Sequence, residues 1–331
     1  MADINWSFII PHKNIPHLLV RCLAAIPRRP DVQIIVVDDA SDPSVVDFAR
    51  FPGLDDPQVE VVFAKKGRGA GYARNVGLER AVGKWIVFAD ADDYYLDNLP
   101  EMMDRYVGSD VDMVLFKEIS CSVEGERYPD PPLQTLLFDR YFTYHDMNAL
   151  RYQYYVPHGR FIQREAIGGL RFQEVAYSND VLFFLRFQTG DIQICVVDEA
   201  IYAYVRRPNS LLQTQHWKNP YTRCHVAMDT FLYFKGKGDP NVIRYGMGMI
   251  PIHWWRRTRE LNKWAALRLI PRIYRVTGYN LFPSFVRGVW ASRHAKSRQT
   301  AKPTVPVGST LQSGDVPKGE AANRVIQKTG A

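Results

Sequence analysis

The stretch from Trp85 to Tyr95, WIVFADADDYY, constrains the fold most, because an apolar run stops abruptly at three carboxylates, Asp90, Asp92 and Asp93. Trp85, Ile86, Val87 and Phe88 are β-branched or aromatic, the run is too short for a helix, and Gly83 bounds it. That pattern predicts a strand buried on both faces. In an open α/β sheet, ligands bind outside the carboxyl ends of the strands, so such a strand delivers acids to a site. Alternation would send Asp90 and Asp92 the same way across Ala91, spaced for a hard divalent cation such as Mg2+ or Mn2+. The plainer account is an acidic loop capping the next helix, where the dipole favours Asp.

Upstream, the same motif recurs. Trp6 to Ile10 reads as a strand stopped by Pro11, and His17 to Ile26 as a helix with Leu18, Leu19, Cys22 and Ile26 on its apolar face. Ile34 to Val37 is a second buried strand ending in Asp38 and Asp39, after which Ser41, Asp42 and Pro43 predict a helix to Phe51. Val59 to Phe63 is the third strand. This is one β-α-β-α-β half of a doubly wound, mostly parallel sheet.

The next loop, KKGRGAGYARN (Lys65 to Asn75), opens a helix predicted to continue to Val82. Gly67, Gly69 and Gly71 would let the backbone approach a ligand, and Lys65, Lys66, Arg68 and Arg74 could neutralise phosphate. It matches neither the dinucleotide fingerprint nor a Walker GK[ST] ending. A surface turn with solvated charges accounts for the loop alone. Arg74 and Asn75, in the first helical turn, would face the strand ends.

The segments IIPHKN (Ile9 to Asn14), IIVVDDAS (Ile34 to Ser41) and GYARNVGLERAVGKWIVFADADD (Gly71 to Asp93) together resemble the nucleotide-sugar domain of family 2 glycosyltransferases, the inverting GT-A group. Three motifs in the right order and spacing cover roughly the first third of the chain. The resemblance implies that Pro11, His12, Asp39 and Arg74 surround the nucleotide base and ribose. It also implies that Asp90 and Asp92 form a DxD motif, Asp90 near the ribose and Asp92 on the metal, with Asp93 as a lesser second contact. His12, Lys13 and Ala40 depart from the commonest pattern, which bears on the base preference. Two acidic strand ends in a basic chain suit a metal-nucleotide site better than a direct anion site, since carboxylates alone would repel a diphosphate.

Leu99 to Val107 reads as a helix, Met113 to Phe116 as a strand, and Asp146 to Tyr155 as helical. The run His158 to Phe187 resembles the same family, in which an acidic pair opens an apolar helix; here the pair is Asn179 and Asp180. The resemblance makes Asp180 the general base that inversion requires; Ser178 or Asn179 is the candidate cap of the helix it opens. Unaided, a helix-start carboxylate stabilised by the dipole explains it as well. Ile192 to Val197 and Ile201 to Val205 read as two strands, and YAYVRRPNS after them resembles a segment closing over the donor, with Arg206 or Arg207 reaching the diphosphate. His216 is a candidate third metal ligand, although a lone His beside Trp217 is more often a packing residue. The QxxRW signature of processive members is absent from the sequence, so one sugar per encounter is expected.

Beyond Pro220 the chain turns basic and Trp-rich. Leu261, Trp264, Leu267, Ile270 and Tyr274 at helical spacing predict a basic amphipathic helix ending near Pro271. It would pack on the catalytic domain or meet an anionic membrane surface. The net charge of +7 agrees with an anionic partner without choosing it. No zinc-finger or RNP-type motif speaks for nucleic acid. The four cysteines make no CxxC pair and read as reduced thiols.

These readings give a GT-A type α/β catalytic domain over residues 1–218, with a nucleotide-sugar half (1–110) and an acceptor half (111–218). A basic helical extension (219–298) and a disordered tail (299–331) follow. The expected activity is metal-dependent transfer of one sugar from a UDP-linked donor to a glycan or lipid-linked glycan. No basic n-region or apolar run of about 20 residues is visible, so a cytoplasmic protein, peripheral on the membrane, is expected. A nucleotidyltransferase, or an inactive nucleotide-sugar-binding homologue, is the alternative.

Overall fold

Alternating burial on both sides of short apolar strands builds the centre of the molecule. The computed structural model of the chain describes residues 3–130, 135–207 and 216–286. Among these, β1 (Trp6–His12), β2 (Val32–Asp38), β3 (Val59–Phe63), β4 (Trp85–Phe88), β5 (Tyr94–Tyr95), β6 (Met113–Cys121), β7 (Arg160–Gln163) and β8 (Ile194–Val205) form one sheet. Its order is β3-β2-β1-β4-β7-β6-β8-β5. The first four positions are parallel, β7 runs antiparallel to β4 and β6, and β8 is parallel to β6.

Successive side chains of a strand point to opposite faces, and each face here has its own core. Phe8, Ile10, Ile34, Val36 and Val87 pack on one side with Leu19 and Cys22 of α1 (Pro16–Ala24). Ile9, Ile35, Val37, Ile86 and Phe88 pack on the other with Ala73 of α2 (Ala70–Arg80). The helix α3 (Leu99–Tyr106) joins the first face through Met102 and Met103. On the second face lie α4 (Thr135–Tyr144), α5 (Met147–Gln153), the short α6 (Arg164–Ile167) and α7 (Val181–Gln188), contributing Phe138, Leu150, Ile167, Phe183 and Phe184. The expected mixed α/β, mostly parallel sheet is therefore the fold.

Four local expectations change. The predicted helix from Ser41 to Phe51 is a turn followed by a single 3-10 turn, Phe48–Arg50. The helix-start groups are used elsewhere: Ser41 donates its N–H and hydroxyl to Asp38, and Asp42 accepts both from Ser44. The two strands expected between Ile192 and Val205 are one long β8, with register shifts opposite Phe116 to Glu118. The strand β4 ends at Phe88, and Asp93 N–H donates to the Asp90 carbonyl at 3.0 Å. Asp90 to Asp93 is therefore a turn, and the alternation argument for Asp90 and Asp92 does not extend to it.

The fourth change concerns the C-terminal helices. After α8 (Lys218–Gly236) and α9 (Asn241–Arg244) come α10 (Ile250–Leu261) and α11 (Lys263–Thr277), with Pro271 inside α11 rather than at its end. Asn262 separates the last two and caps α11 by accepting from Ala265 N–H at 3.0 Å. A helix-interior proline costs about 3 kcal/mol, which the burial of Leu269, Ile270, Ile273 and Val276 around it offsets. Of the predicted apolar stripe Ile270 is buried, but Leu261, Trp264 and Tyr274 are exposed.

The chain divides into two units, Met1–Phe282 and Pro283–Ala331. All elements above belong to the first; of the second, residues 283–286 are helical, and the tail expected at 299–331 lies outside the described residues. All four cysteines are unpaired. No described helix is long and apolar enough to cross a membrane.

Candidate active site

Because β1, β2 and β4 are parallel neighbours, their carboxyl ends open on one edge, and each ends in polar residues. At the end of β1, buried His12 places Nδ1 2.8 Å from Asp38 Oδ1 and accepts the Ile15 N–H on Nε2 at 3.2 Å. An acceptor at Nε2 leaves the proton on Nδ1, where it bonds Asp38. Both ring nitrogens of His12 are thus spent holding the β1 and β2 exits together. Burial opposes ionisation of Asp38, yet the bonds from His12 and Ser41 bring its carboxyl below the usual range. Pro11, just before, is buried within β1.

Asp39 is buried and acts as an anchor. Its Oδ1 accepts from Arg68 N–H at 2.8 Å and its Oδ2 from Gly69 N–H at 2.9 Å, while Lys13 Nζ donates to its carbonyl at 2.6 Å. The glycine loop therefore gives these amides to a carboxylate of its own chain. The glycines also allow close packing within the protein. Gly69 has φ +92 at the start of α2, and a Cβ on Gly71 would stand 2.2 Å from the Gln173 carbonyl oxygen.

That close approach lets α2 touch the loop before α7, and Arg74 uses it. Arg74 is buried; Nη2 donates to Asp90 Oδ1 at 2.6 Å and Nη1 to Asn179 Oδ1 at 2.8 Å. One guanidinium joins the acid turn to the residue preceding Asp180. Burial works against the charge on Asp90, but Arg74, and His158 behind it, hold its pKa below the ordinary carboxylate value.

Asp180 is the N-cap residue of α7, and its side chain makes no capping hydrogen bond. Nor does the expected Ser178 or Asn179 cap the helix: Asn179 is taken by Arg74, and Ser178, at φ +57, accepts from Arg223 Nη1 of α8 at 3.1 Å. Burial raises the Asp180 pKa; Arg74 and Arg223 pull the other way, and Asp90 adds to the rise. A carboxylate made more basic, and not committed to its helix, is suited to accept a proton.

Asp92 and Asp93 diverge. Asp92 Oδ2 accepts from Arg207 Nε at 2.7 Å, and the Asp90 and Asp92 side chains remain 32% and 23% exposed. Asp93 is buried and accepts from Val205 N–H at 2.8 Å and the Tyr202 hydroxyl at 2.9 Å. These bonds clamp the acid turn to β8. Burial, with Asp92 nearby, pushes the Asp93 pKa well up. Of the two arginines expected to reach the diphosphate, Arg207 lies on the acid turn. Arg206 donates to the Asp130 carbonyl at 3.0 Å and lies over Tyr128 instead.

Sequence reasoning missed His158, Glu118 and Tyr202. His158 stacks on Tyr202 at 4.6 Å, and its Nδ1 lies 2.5 Å from Glu118 Oε1. Burial disfavours its charge, but Glu118, Asp90 and Asp93 raise its pKa to about 9. Donor atoms of Asp90, Asp93 and His158 lie within 4.8 Å of one another, the one such group among the described residues. With no ion bound, the His158 imidazole is the counter-charge of these carboxylates. The available signal was a histidine before a short strand whose partner, Glu118, is distant in sequence. His216 is not in that group; it is exposed before α8, with Nδ1 accepting from Lys218 N–H at 3.3 Å.

Residues 7–170 match the family model described as Glycosyl transferase family 2. The chain is 25% identical over 221 residues to the uncharacterized glycosyltransferase EpsJ of Bacillus subtilis, covering 62% of each protein. It is 24% identical over 220 residues to glycosyltransferase GlyG of Streptococcus pneumoniae, covering 63% of this chain and 73% of that one. The chain thus spans under two thirds of EpsJ. In fold it is similar to S. aureus TarS 1-349 solved in complex with UDP-GlcNAc, with TM-score 0.58 and 17% identity over 82% of this chain and 79% of that one.

Proposed function

We propose that this chain is a family 2 glycosyltransferase that moves one sugar, with inversion, from a nucleotide-sugar donor to a glycan or lipid-linked glycan acceptor. The observation that carries the reading is the Arg74 bridge, which ties the acid turn at the sheet edge to the loop presenting Asp180. The family match over residues 7–170 and the glycosyltransferase relatives support the reaction class. A uridine donor is the first to test, because TarS, of similar fold, is solved with UDP-GlcNAc.

Pro11, His12, Asp39 and Arg74 would wall the nucleotide pocket, His12 and Asp39 by fixing the loops and Arg74 by its charge. Asp90 and Asp92 offer partly exposed, hard oxygen donors, a set that fits Mg2+ or Mn2+. When bound, such an ion offsets the diphosphate charge and makes it a better leaving group. Asp93, bonded to β8, supports the turn. Arg207 would pass from Asp92 to the diphosphate as the donor arrives.

Asp180 takes the proton from the acceptor hydroxyl as that oxygen attacks the anomeric carbon. The bond from that carbon to the diphosphate oxygen breaks, and its electron pair leaves with the nucleoside diphosphate. Attack opposite the leaving group inverts the centre.

The test is nucleoside diphosphate release from a panel of UDP-, GDP- and dTDP-sugars, with Mn2+ or EDTA, for wild type, Asp92→Ala and Asp180→Asn. Metal-dependent release from one donor, lost in both variants, is the expected result. Pyrophosphate release would instead indicate nucleotidyl transfer. No release together with no nucleotide binding by calorimetry would overturn the reading.

A further inference from the structure

The helix α11, Lys263–Thr277, is apolar on two faces, and only one of them has a partner within the described residues. Ala265, Ala266, Leu269, Ile270, Ile273 and Val276 are buried, and α11 packs against α8 and α10. At 100° per residue, Trp264, Arg268, Pro271 and Arg275 fall together on the opposite side, flanked by Leu267 and Tyr274. Trp264 is 74% exposed and Tyr274 57%. Large aromatic side chains held this far into solvent on one helix face mark an interaction surface rather than scattered surface apolarity.

The charge on the same side defines the partner. The helix contains Lys263, Arg268, Arg272 and Arg275 and no acidic residue. Arg272, on the flank, is paired with Asp229 at 2.6 Å, whereas no described carboxylate pairs with Arg268 or Arg275. Indole and phenol rings settle at the boundary between headgroups and acyl chains, and arginines on either side extend to phosphate. A second copy of the chain is a poor fit, because an isologous contact would set these arginines against their own copies.

We propose that the outer face of α11 docks on an anionic lipid surface, with Trp264 and Tyr274 inserted at the interface and Arg268 and Arg275 on lipid phosphates. The helix then lies in the membrane plane and does not cross it. Its neighbour α8 supplies Arg223, which bonds Ser178 two residues before Asp180, so α8 stands between the buried face of α11 and the proposed acceptor side. The docking does not depend on the transfer reaction and is tested apart from it.

The experiment is flotation of the full chain with vesicles of phosphatidylcholine alone or mixed with phosphatidylglycerol, for wild type, Trp264→Ala/Tyr274→Ala and Arg268→Glu/Arg275→Glu. Wild type should float with the anionic vesicles only, and less at high salt. Each double variant should lose retention several-fold while its melting temperature and donor hydrolysis stay at wild-type values. Two variants acting through different chemistry protect the test from one that fails to fold. Three outcomes would overturn the proposal: wild type that does not float, variants retained as well as wild type, or a wild-type dimer in light scattering that the variants abolish without any vesicle binding.

Discussion

Arg74 holds Asp90 at 2.6 Å across a part-buried contact between α2 and the acid turn, and its second nitrogen holds Asn179. Through this one side chain the turn after β4 and the start of α7, 85 or more residues apart in the chain, become a single site. Removing it affects both stations at once. We expect Arg74→Ala to lower donor turnover at least 100-fold and to destabilise the fold by about 1–3 kcal/mol, since Asp90 and Asn179 lose a buried donor. Arg74→Lys should rescue stability more than turnover, because an ammonium cannot span both acceptors in a fork. Urea melts and donor hydrolysis measured on the same preparations check this, and full activity in Arg74→Ala would remove the bridge from the mechanism.

Asp180→Asn keeps the shape of the α7 start and removes the basic oxygen. Transfer should fall about 100- to 10,000-fold, the usual worth of a general base, with nucleotide-sugar affinity nearly unchanged. Because burial raises this carboxyl, the acid limb of kcat in wild type should lie above the ordinary carboxylate range. A pH profile of kcat with saturating donor, alongside calorimetry, reads both effects. An equal loss of binding would take the base role away from Asp180.

Arg207 sits on Asp92 at 2.7 Å, where the metal is proposed to bind. Arg207→Ala should therefore tighten Mn2+ binding in the absence of donor by several-fold. It should also slow transfer, since the diphosphate loses a cation. Titration calorimetry with Mn2+ alone separates the first effect from the second, and weaker Mn2+ binding in the variant would contradict it.

His158 contributes to stability with a definite sign. Its pKa is raised to about 9 in the folded protein from 6.5, burial being outweighed by Glu118, Asp90 and Asp93. The contribution is full below pH about 6.5 and is lost as pH rises through about 9. Metal-free protein should melt progressively lower over that window, and His158→Gln should flatten the slope while lowering stability at neutral pH. Calorimetric scans across the window measure it; an unchanged slope in the variant would show that other groups carry the dependence.

The helices at the two ends of the chain show what kind of expectation fails. The predicted helix after β2 was overridden when Asp38 and Asp42 captured the donors of Ser41 and Ser44, a competition between side chains and backbone that residue preferences do not rank. In α11 large apolar side chains stand on both faces, so the predicted stripe mixed Trp264 and Tyr274 with Ile270, and packing chose the small and aliphatic face.

The sequence by itself determined strands β1 to β4 and the first half of β6, because β-branched and aromatic runs bounded by turns have few other solutions. It also determined that acids stand at the exits of β2 and β4. Tertiary structure alone decided which of those acids work together. The turn after Phe88 sends Asp93 into β8 and leaves Asp92 to Arg207. Long-range folding brings Glu118 to His158 and Asn179 to Arg74. Order along the chain fixes which groups are available; the distances that set their charges arise only when separate segments are packed out of water against one another.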